Sequence, residues 1–441
     1  GNNMSQRIEN KECRSVIKAL KSGLVPSDGI ERIAVGREDI IKQLKMDFDD
    51  VSDASSGFKF YGGDYGSGKT FMCNLIKNEA FKKDFIVSFV NIDPRELPMN
   101  RTEKIYTKVI NGIRTKDHKN IPAFDFILQE WLFKLEVKVQ REHNLDPLNN
   151  KDREKIKEHI SNEINNELEK IRHFDSSLSN AIRGYYEAVR KQNKEIETSA
   201  LGWIKGESNI LAKHKAKFNV KGNIDKDNAV NFLKSITQLM INIGYKGLII
   251  IFDELELIRN VRQDLRNAAY ENIRYLCDLT ASNELPYTYL VFAGTEDIYQ
   301  DEMKGIPSYQ ALYSRIKSDN TNKSKIKDLR ASLIYLDNFD EKRLKEVSRK
   351  VIKVHETAYD WKAENIDEDV IDCLIDRVAN KFGKISSVPR GYLKALVDLL
   401  DISEQNQDFQ PERDFINSSK IEEELLKIQE IEKLDPALVE F

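Results

Sequence analysis

The segment Gly63-Asp64-Tyr65-Gly66-Ser67-Gly68-Lys69-Thr70 fits G-x-x-x-x-G-K-[ST], and it stands between the apolar run "FKFY" at Phe58 and a helix pattern that starts at Lys69. That spacing suits phosphate chemistry. Glycines let the backbone wrap a polyphosphate with successive N–H groups turned inward, and a helix opening at Lys69 adds the positive end of its dipole. Lys69 is expected to reach the β- and γ-phosphates, while the Thr70 hydroxyl is a hard oxygen ligand suited to Mg²⁺. A glycine-rich turn with no ligand carries the same letters, so a second motif has to decide. "GLIIIFDELELI" is that motif: its apolar run delivers Asp253 and Glu254 at the carboxyl end of a buried strand, where open α/β sheets bind ligands. Asp253 is expected to hold Mg²⁺, and Glu254 to orient and polarise the water that attacks a γ-phosphate. In isolation two such acids would only cap the following helix. Together and in this order, the motifs predict ATP and Mg²⁺ as ligands and phosphoryl transfer to water as the chemistry.

The elements that must position these residues read as an α/β fold with a mostly parallel sheet. Five apolar runs qualify as strands: "FKFY" at Phe58, "FIVSFVNI" at Phe85, "LIIIF" at Leu248, "YLVFAG" at Tyr289 and "SLIYL" at Ser332. The stretch between the second and third is far longer than a crossover requires, and it reads as helical. Within it Ile156, Ile160, Ile164, Leu168 and Ile171 recur every three or four residues among Lys, Glu and Asn, giving one apolar stripe. Either a coiled-coil-like arm or a helical subdomain packed on the body satisfies that pattern. Past the fifth strand the chain becomes helical, then polar and irregular from Glu404 to Ser419, and closes on an amphipathic segment through Ile421, Leu425, Ile428 and Ile431 that either docks on its own chain or takes a partner. The expected organisation is an N-terminal helical segment 1–33, an ATPase core in two parts, 34–117 and 225–338, separated by a helical insertion 118–224, a helical lid 339–402 and a tail helix 403–441.

Composition narrows the class. At 441 residues the chain can bury a full core without cross-links, and Cys13, Cys73, Cys277 and Cys373 are far apart with no C-x-x-C pair, which reads as reduced thiols. Charged residues make up 32% of the chain but sum to a net charge of only -4, so no global footprint for nucleic acid is present. The local cluster "KHKAKFNVKG" from Lys213 is a candidate for phosphate contact, although solvated surface is its commoner meaning. No apolar run approaches the roughly 20 residues of a membrane span, and the first residues lack the pattern of a signal peptide. The expectation is a cytoplasmic protein. The opening "GNNM", ahead of what reads as a start methionine, is taken as a tag scar.

Further segments resemble the AAA+ class of P-loop ATPases. "YLVFAGTED" ends its strand at Thr295, where that class carries a polar sensor beside the attacking water; the same Thr could simply cap a helix. "ALYSRIKS" presents Arg315 where the class places an arginine finger for a neighbouring subunit, or else a solvated helix arginine. "SVPRGYLKAL" puts Arg390 at a helix start, like the second sensor of the lid, and a cation there opposes the helix dipole, which favours a ligand-facing purpose. "IAVGREDIIKQL" resembles the segment of origin-recognition-type proteins that crosses the adenine pocket, which would put Val35, Gly36 and Arg37 near the base.

More specifically, "ALGWIKGE" from Ala200, "NAVNFLKSITQLMINIGYKGLIIIFDELELI" from Asn228 and "RNAAYENIRYLCDL" from Arg266 resemble the ATP-binding proteins of bacterial BREX phage-defence systems, the BrxC/BrxD family, from about Ala34 to about Leu400. Length and a single ATPase domain are closer to the smaller BrxD branch than to the larger BrxC. The resemblance implies restriction of phage DNA alongside other defence-system proteins, including a methyltransferase, with a homo-oligomer and double-stranded DNA as candidate partners and no membrane. Two functions stay open at this point: an ATP-hydrolysing switch or motor, and a nucleotide-held binding module of the origin-recognition or signalling type that recruits DNA or protein. A nucleoside kinase would need a second-substrate motif, and none is seen.

Overall fold

The computed structural model describes residues 1–63, 68–171, 175–317, 327–337, 339–382 and 389–434. The chain opens with helix α1 (Asn2–Lys21) and α2 (Glu38–Ser52), enters the sheet through β1 (Gly57–Gly62), and continues through α3 (Lys69–Lys82), β2 (Ile86–Asn91), α4 (Thr102–Asn111) and a two-residue strand β3 (Ile113–Arg114). Six helices follow: α5 (Phe124–His143), α6 (Asn150–Glu169), α7 (Ser176–Arg190), α8 (Lys194–Ile204), α9 (Ala212–Lys217) and α10 (Ala229–Ile243). The sheet resumes with β4 (Leu248–Asp253), then α11 (Gln263–Ala281), β5 (Thr288–Gly294), α12 (Glu296–Gln300), α13 (Gln310–Ile316) and β6 (Leu333–Tyr335). The last described helices are α14 (Glu341–Tyr359), α15 (Glu368–Phe382), α16 (Pro389–Gln405) and α17 (Ser419–Leu434).

All five expected strands are present, and they form one sheet in the order β3-β2-β4-β5-β1-β6, parallel throughout except for antiparallel β3. Register is fixed by the two-residue alternation of strand side chains. On one face Phe60, Phe292 and Phe252 lie side by side on β1, β5 and β4, with ring centroids 4.6 and 4.9 Å apart, and they join a core built with α4, α10, α11 and the inserted helices. Tyr61, Ala293 and Ile251 face the other way into a second core shared with α1, α2, α3, α14, α15 and α16. The two layers of helix therefore answer to alternate residues of the same strands.

The stripe on α6 is the clearest case of periodicity deciding packing. Ile156, Ile160, Ile164 and Leu168 are fully buried against α5 and α7, in a core continuous with the sheet, so α6 is no free arm. Burying each such side chain stabilises the packing by about 1.5–3 kcal/mol. Asn149 and Asp175 cap α6 and α7 by accepting the Lys151 and Ser177 N–H groups. Ser199 Oγ lies 2.7 Å from His214 Nδ1 and Glu195 Oε1 lies 2.9 Å from His214 Nε2, a serine–histidine–carboxylate row that staples α9 to α8. Because Ser199 sits inside α8, the amides around it are committed to helix bonds and cannot serve as oxyanion donors. At the far end α17 docks on its own chain through buried Ile421 and Leu425, with Glu424 3.4 Å from Lys394 of α16.

Candidate functional site

Because β1, β2, β4, β5 and β6 run parallel, their carboxyl ends share one edge, and the sequence motifs collect there. β1 ends at Gly62, and the Gly63 N–H donates to Gly294 O across 3.2 Å, tying the entrance of the phosphate-loop motif to the end of β5. Gly62 is a glycine for a packing reason: a Cβ there would stand 2.8 Å from Tyr299 Cε2 and 3.1 Å from Tyr335 Cδ1. Gly68 is one for a backbone reason, since its φ of 88° is left-handed and lets α3 start abruptly at Lys69. Lys69 is only 4% exposed, and Thr70 beside it is half-buried. The expected phosphate contacts of Asp64, Tyr65, Gly66 and Ser67 lie outside the described residues.

Asp253 is the last residue of β4, opposite Asn91 of β2, with β5 standing between β4 and β1. Its Oδ1 accepts the Glu254 N–H at 2.8 Å. Glu254 has φ 63° and ψ 39°, a left-handed conformation rare for a residue with a Cβ, and it starts the 3₁₀ turn Leu255–Asn260. Such a residue costs of order 1–3 kcal/mol and persists where its surroundings hold it, most often at functional sites.

Thr295 is buried at the start of α12, and its side chain makes no cap bond, so the ordinary cap role does not account for it. Its N–H instead donates to Glu256 Oε2 at 3.3 Å. Glu256, which the sequence reading did not single out, stands at this same edge of the sheet. Burial pushes its carboxyl pKa up, the nearby Lys69 ammonium pulls it down, and Asp253 pushes it up again. Glu256 thus contacts Thr295 and lies within electrostatic reach of Lys69 and Asp253. The available signal was the third acid in "DELEL", whose spacing also fits the exposed side of a helix.

Val35, Gly36 and Arg37 lead into α2. Val35 and Arg37 are each 3% exposed, and Gly36 has a φ of 71°. Gly36 and Arg37 line a cavity of about 400 Å³ with Lys327, Tyr335, Asp337 and Arg343, next to the end of β1, where the Leu336 N–H donates to Gly62 O at 2.7 Å. Arg37 donates to the carbonyls of Gly36 and Asp337, both at 3.3 Å, and burial beside the Arg343 guanidinium pulls its pKa down to about 10.

Two further expected residues stand on helices. Arg315, on α13, is directed at α11, where it pairs with Asp278. Arg390 is buried in the first turn of α16, a helix that packs into the second core. Among the described residues no group of three or more His, Cys, Asp or Glu side chains is arranged to hold a metal by itself, and no helix is long and apolar enough to cross a membrane. The four cysteines form no disulfide, and three of them are buried.

A mostly parallel six-stranded α/β sheet with a buried lysine opening the helix after β1 and carboxylates ending β4 is compatible with the P-loop ATPase class. The chain belongs to the BrxC/D family: the model for "BREX system ATP-binding protein BrxC/D" matches residues 8–419, which is most of its length. No curated protein matches it.

Proposed function

We propose that this chain binds Mg²⁺-ATP at the head of α3 and hydrolyses it, as an AAA+-like switch or motor of a BREX phage-defence system, nearest the BrxD branch. The observation that carries the reading is topological: buried Lys69 opens the helix after β1, and Asp253 and Glu254 follow β4, at the edge of the sheet where the parallel strands end. The residues fit the ligand. Gly68 offers no side-chain acceptor to the first-turn amides of α3, which suits an anion there, and Lys69 is the buried cation that its phosphates require. Thr70 and Asp253 are the oxygen donors for Mg²⁺, which when bound neutralises charge on the phosphoryl oxygens.

Within that reading Lys69 and the loop from Gly63 to Gly68 bind phosphates. Glu254 aligns and polarises water, and Thr295 stands beside it. Arg37, with Val35 and Gly36, borders the base; Arg390 reports from the lid; Arg315 serves a neighbouring copy. Segment 118–224 acts as a helical insertion and 339–402 as the lid, in a cytoplasmic protein that works with other components of its system. Calorimetry on Lys69→Ala tests the site: tight ATP binding should disappear, and an unchanged affinity would place the nucleotide elsewhere.

A further inference from the structure

The basic cluster that starts at Lys213 has no part in the chemistry above, yet it forms a rigid surface. From Lys213 to Gly222 there are four lysines and no acid, a local charge of +4 in a chain whose net charge is -4. α9 turns Ala212, Lys213, Ala216 and Lys217 outward on one face, and the turn after it exposes Lys221. The other side of α9 is anchored. His214 is held between Ser199 and Glu195, and Phe218 packs so closely on α7 that its Cβ lies 2.2 Å from where a Cβ on Gly184 would stand. Gly222, with a φ of 67°, closes the turn, and its carbonyl accepts from Trp203 Nε1 at 3.0 Å and from Lys215 Nζ at 3.2 Å. Asn180 of α7 donates to Asn219 O at 3.0 Å and accepts from Arg183, which puts a further cation beside the turn. Lysines on the neighbouring helices find acids: Lys138 pairs with Glu163, Lys157 with Glu187 and Lys205 with Asp125. Among the described residues Lys213, Lys217, Lys221 and Arg183 are in no ion pair. Two acids beside the cluster are engaged otherwise, Glu195 by His214 and Asp225 by the Asp227 and Asn228 N–H groups.

We infer that this face of α9, with Lys221 and Arg183, is a docking surface for the phosphate backbone of double-stranded DNA, contacted without regard to base sequence. Like charges held together on a fixed surface repel one another, and a polyanion relieves that repulsion while releasing its own counterions. Lys213 and Lys217 are one helical turn apart, about 6 Å along the axis, and Ala212 and Ala216 beside them let a duplex come close. The major groove of B-form DNA is about 12 Å wide and admits a helix, whereas that of an RNA duplex is too narrow for side chains to enter. A single strand needs exposed aromatic rings on which to stack, and Trp203 and Phe218, the rings beside this surface, are buried. A lipid surface needs an apolar helix face turned outward, and α9 turns alanines and lysines outward instead.

The full chain is titrated against a short, fluorescently labelled DNA duplex of arbitrary sequence between about 50 and about 200 mM salt. Four phosphate contacts, from Lys213, Lys217, Lys221 and Arg183, predict a slope of log affinity on log salt of about -3.6, at about -0.9 per contact. The double variant Lys213→Gln, Lys217→Gln should bind on the order of tenfold or more weakly and bring the slope to about -1.8. Its control is Lys151→Gln, Lys155→Gln, which removes the same charge from the exposed side of α6 and should leave affinity and slope unchanged. All four positions are exposed, so both double variants should melt like the parent. The inference is overturned if the parent does not bind the duplex, or if the two double variants lose affinity equally. Tighter binding of a single strand or an RNA duplex than of the DNA duplex overturns it too, as does binding of phosphatidylserine vesicles or polyglutamate in place of DNA.

Discussion

Asp278 holds Arg315 in place: Nε and Nη2 of the arginine lie 3.1 and 3.2 Å from the two carboxylate oxygens, joining α13 to α11. A finger that serves a second copy has to leave this carboxylate. Arg315→Ala is therefore expected to keep nucleotide affinity while lowering turnover by on the order of a thousandfold, because a finger acts on charge that develops in the transition state. Side chains 39% and 35% exposed make a pair worth under about 1 kcal/mol, so folding stability should barely move. Asp278→Asn should raise turnover at low protein concentration by freeing the guanidinium. Phosphate release measured against protein concentration checks both, and normal turnover by a strictly monomeric protein removes the finger role.

At Gly62 the limit is steric. Gly62→Ala forces a methyl against Tyr299 and Tyr335, and the overpacking should cost about 1–3 kcal/mol in urea unfolding. Tyr299→Phe keeps the ring but loses the bond to Tyr61 O, costing about 1 kcal/mol. If Gly62→Ala is as stable as the parent, the rings yield more easily than their contacts indicate.

A buried polar row ties α1 to the helices after the sheet. Trp361 Nε1 donates to His355 Nδ1 at 2.8 Å, so His355 donates from Nε2 to Asp401 Oδ1 at 2.7 Å, and Lys21 reaches the same carboxylate. Burial alone would raise the Asp401 pKa, but His355 and Lys21 outweigh it and hold the carboxyl below its ordinary value. A depressed folded-state value stabilises the protein above the unfolded pKa of about 3.9 and is lost as pH falls through the folded value. Asp401→Asn should accordingly be less stable at neutral pH, with the difference shrinking below pH of about 4. Urea titrations across that range check it, and a constant difference would show that the charge is not what matters.

Much of this was legible in the sequence. The five long strands announce themselves because parallel strands buried on both faces need unbroken apolar runs, and the phosphate-loop motif follows from its glycines. β3 was not legible, since two residues carry no periodicity. Glu256 and the Arg315–Asp278 pair were missed for a shared reason: what defines them is proximity created by the fold, to Thr295 in one case and across helices 37 residues apart in the other. The α6 stripe left two readings open, because an amphipathic helix encodes that it has a partner and not which one.

That stripe has its own test. Ile160 is fully buried, and Ile160→Ala should cost about 2–5 kcal/mol, the range for truncating a buried aliphatic side chain. Since the core it joins is continuous with the sheet, the loss should appear in global unfolding; a separate early transition confined to 118–224 would mean that the helices fold as a detached unit.

The central claim, that ATP is hydrolysed at this edge of the sheet, is tested most directly on Glu254→Gln. The amide keeps the size of the side chain but not the charge that polarises water, while Lys69, Thr70 and Asp253 remain to hold nucleotide. Steady-state phosphate release and Mg²⁺-ATP affinity are measured side by side on parent and variant. The account predicts a parent that turns over and a variant that binds within about twofold of it yet loses on the order of a hundredfold or more in rate. A variant that hydrolyses ATP as fast as the parent would contradict it.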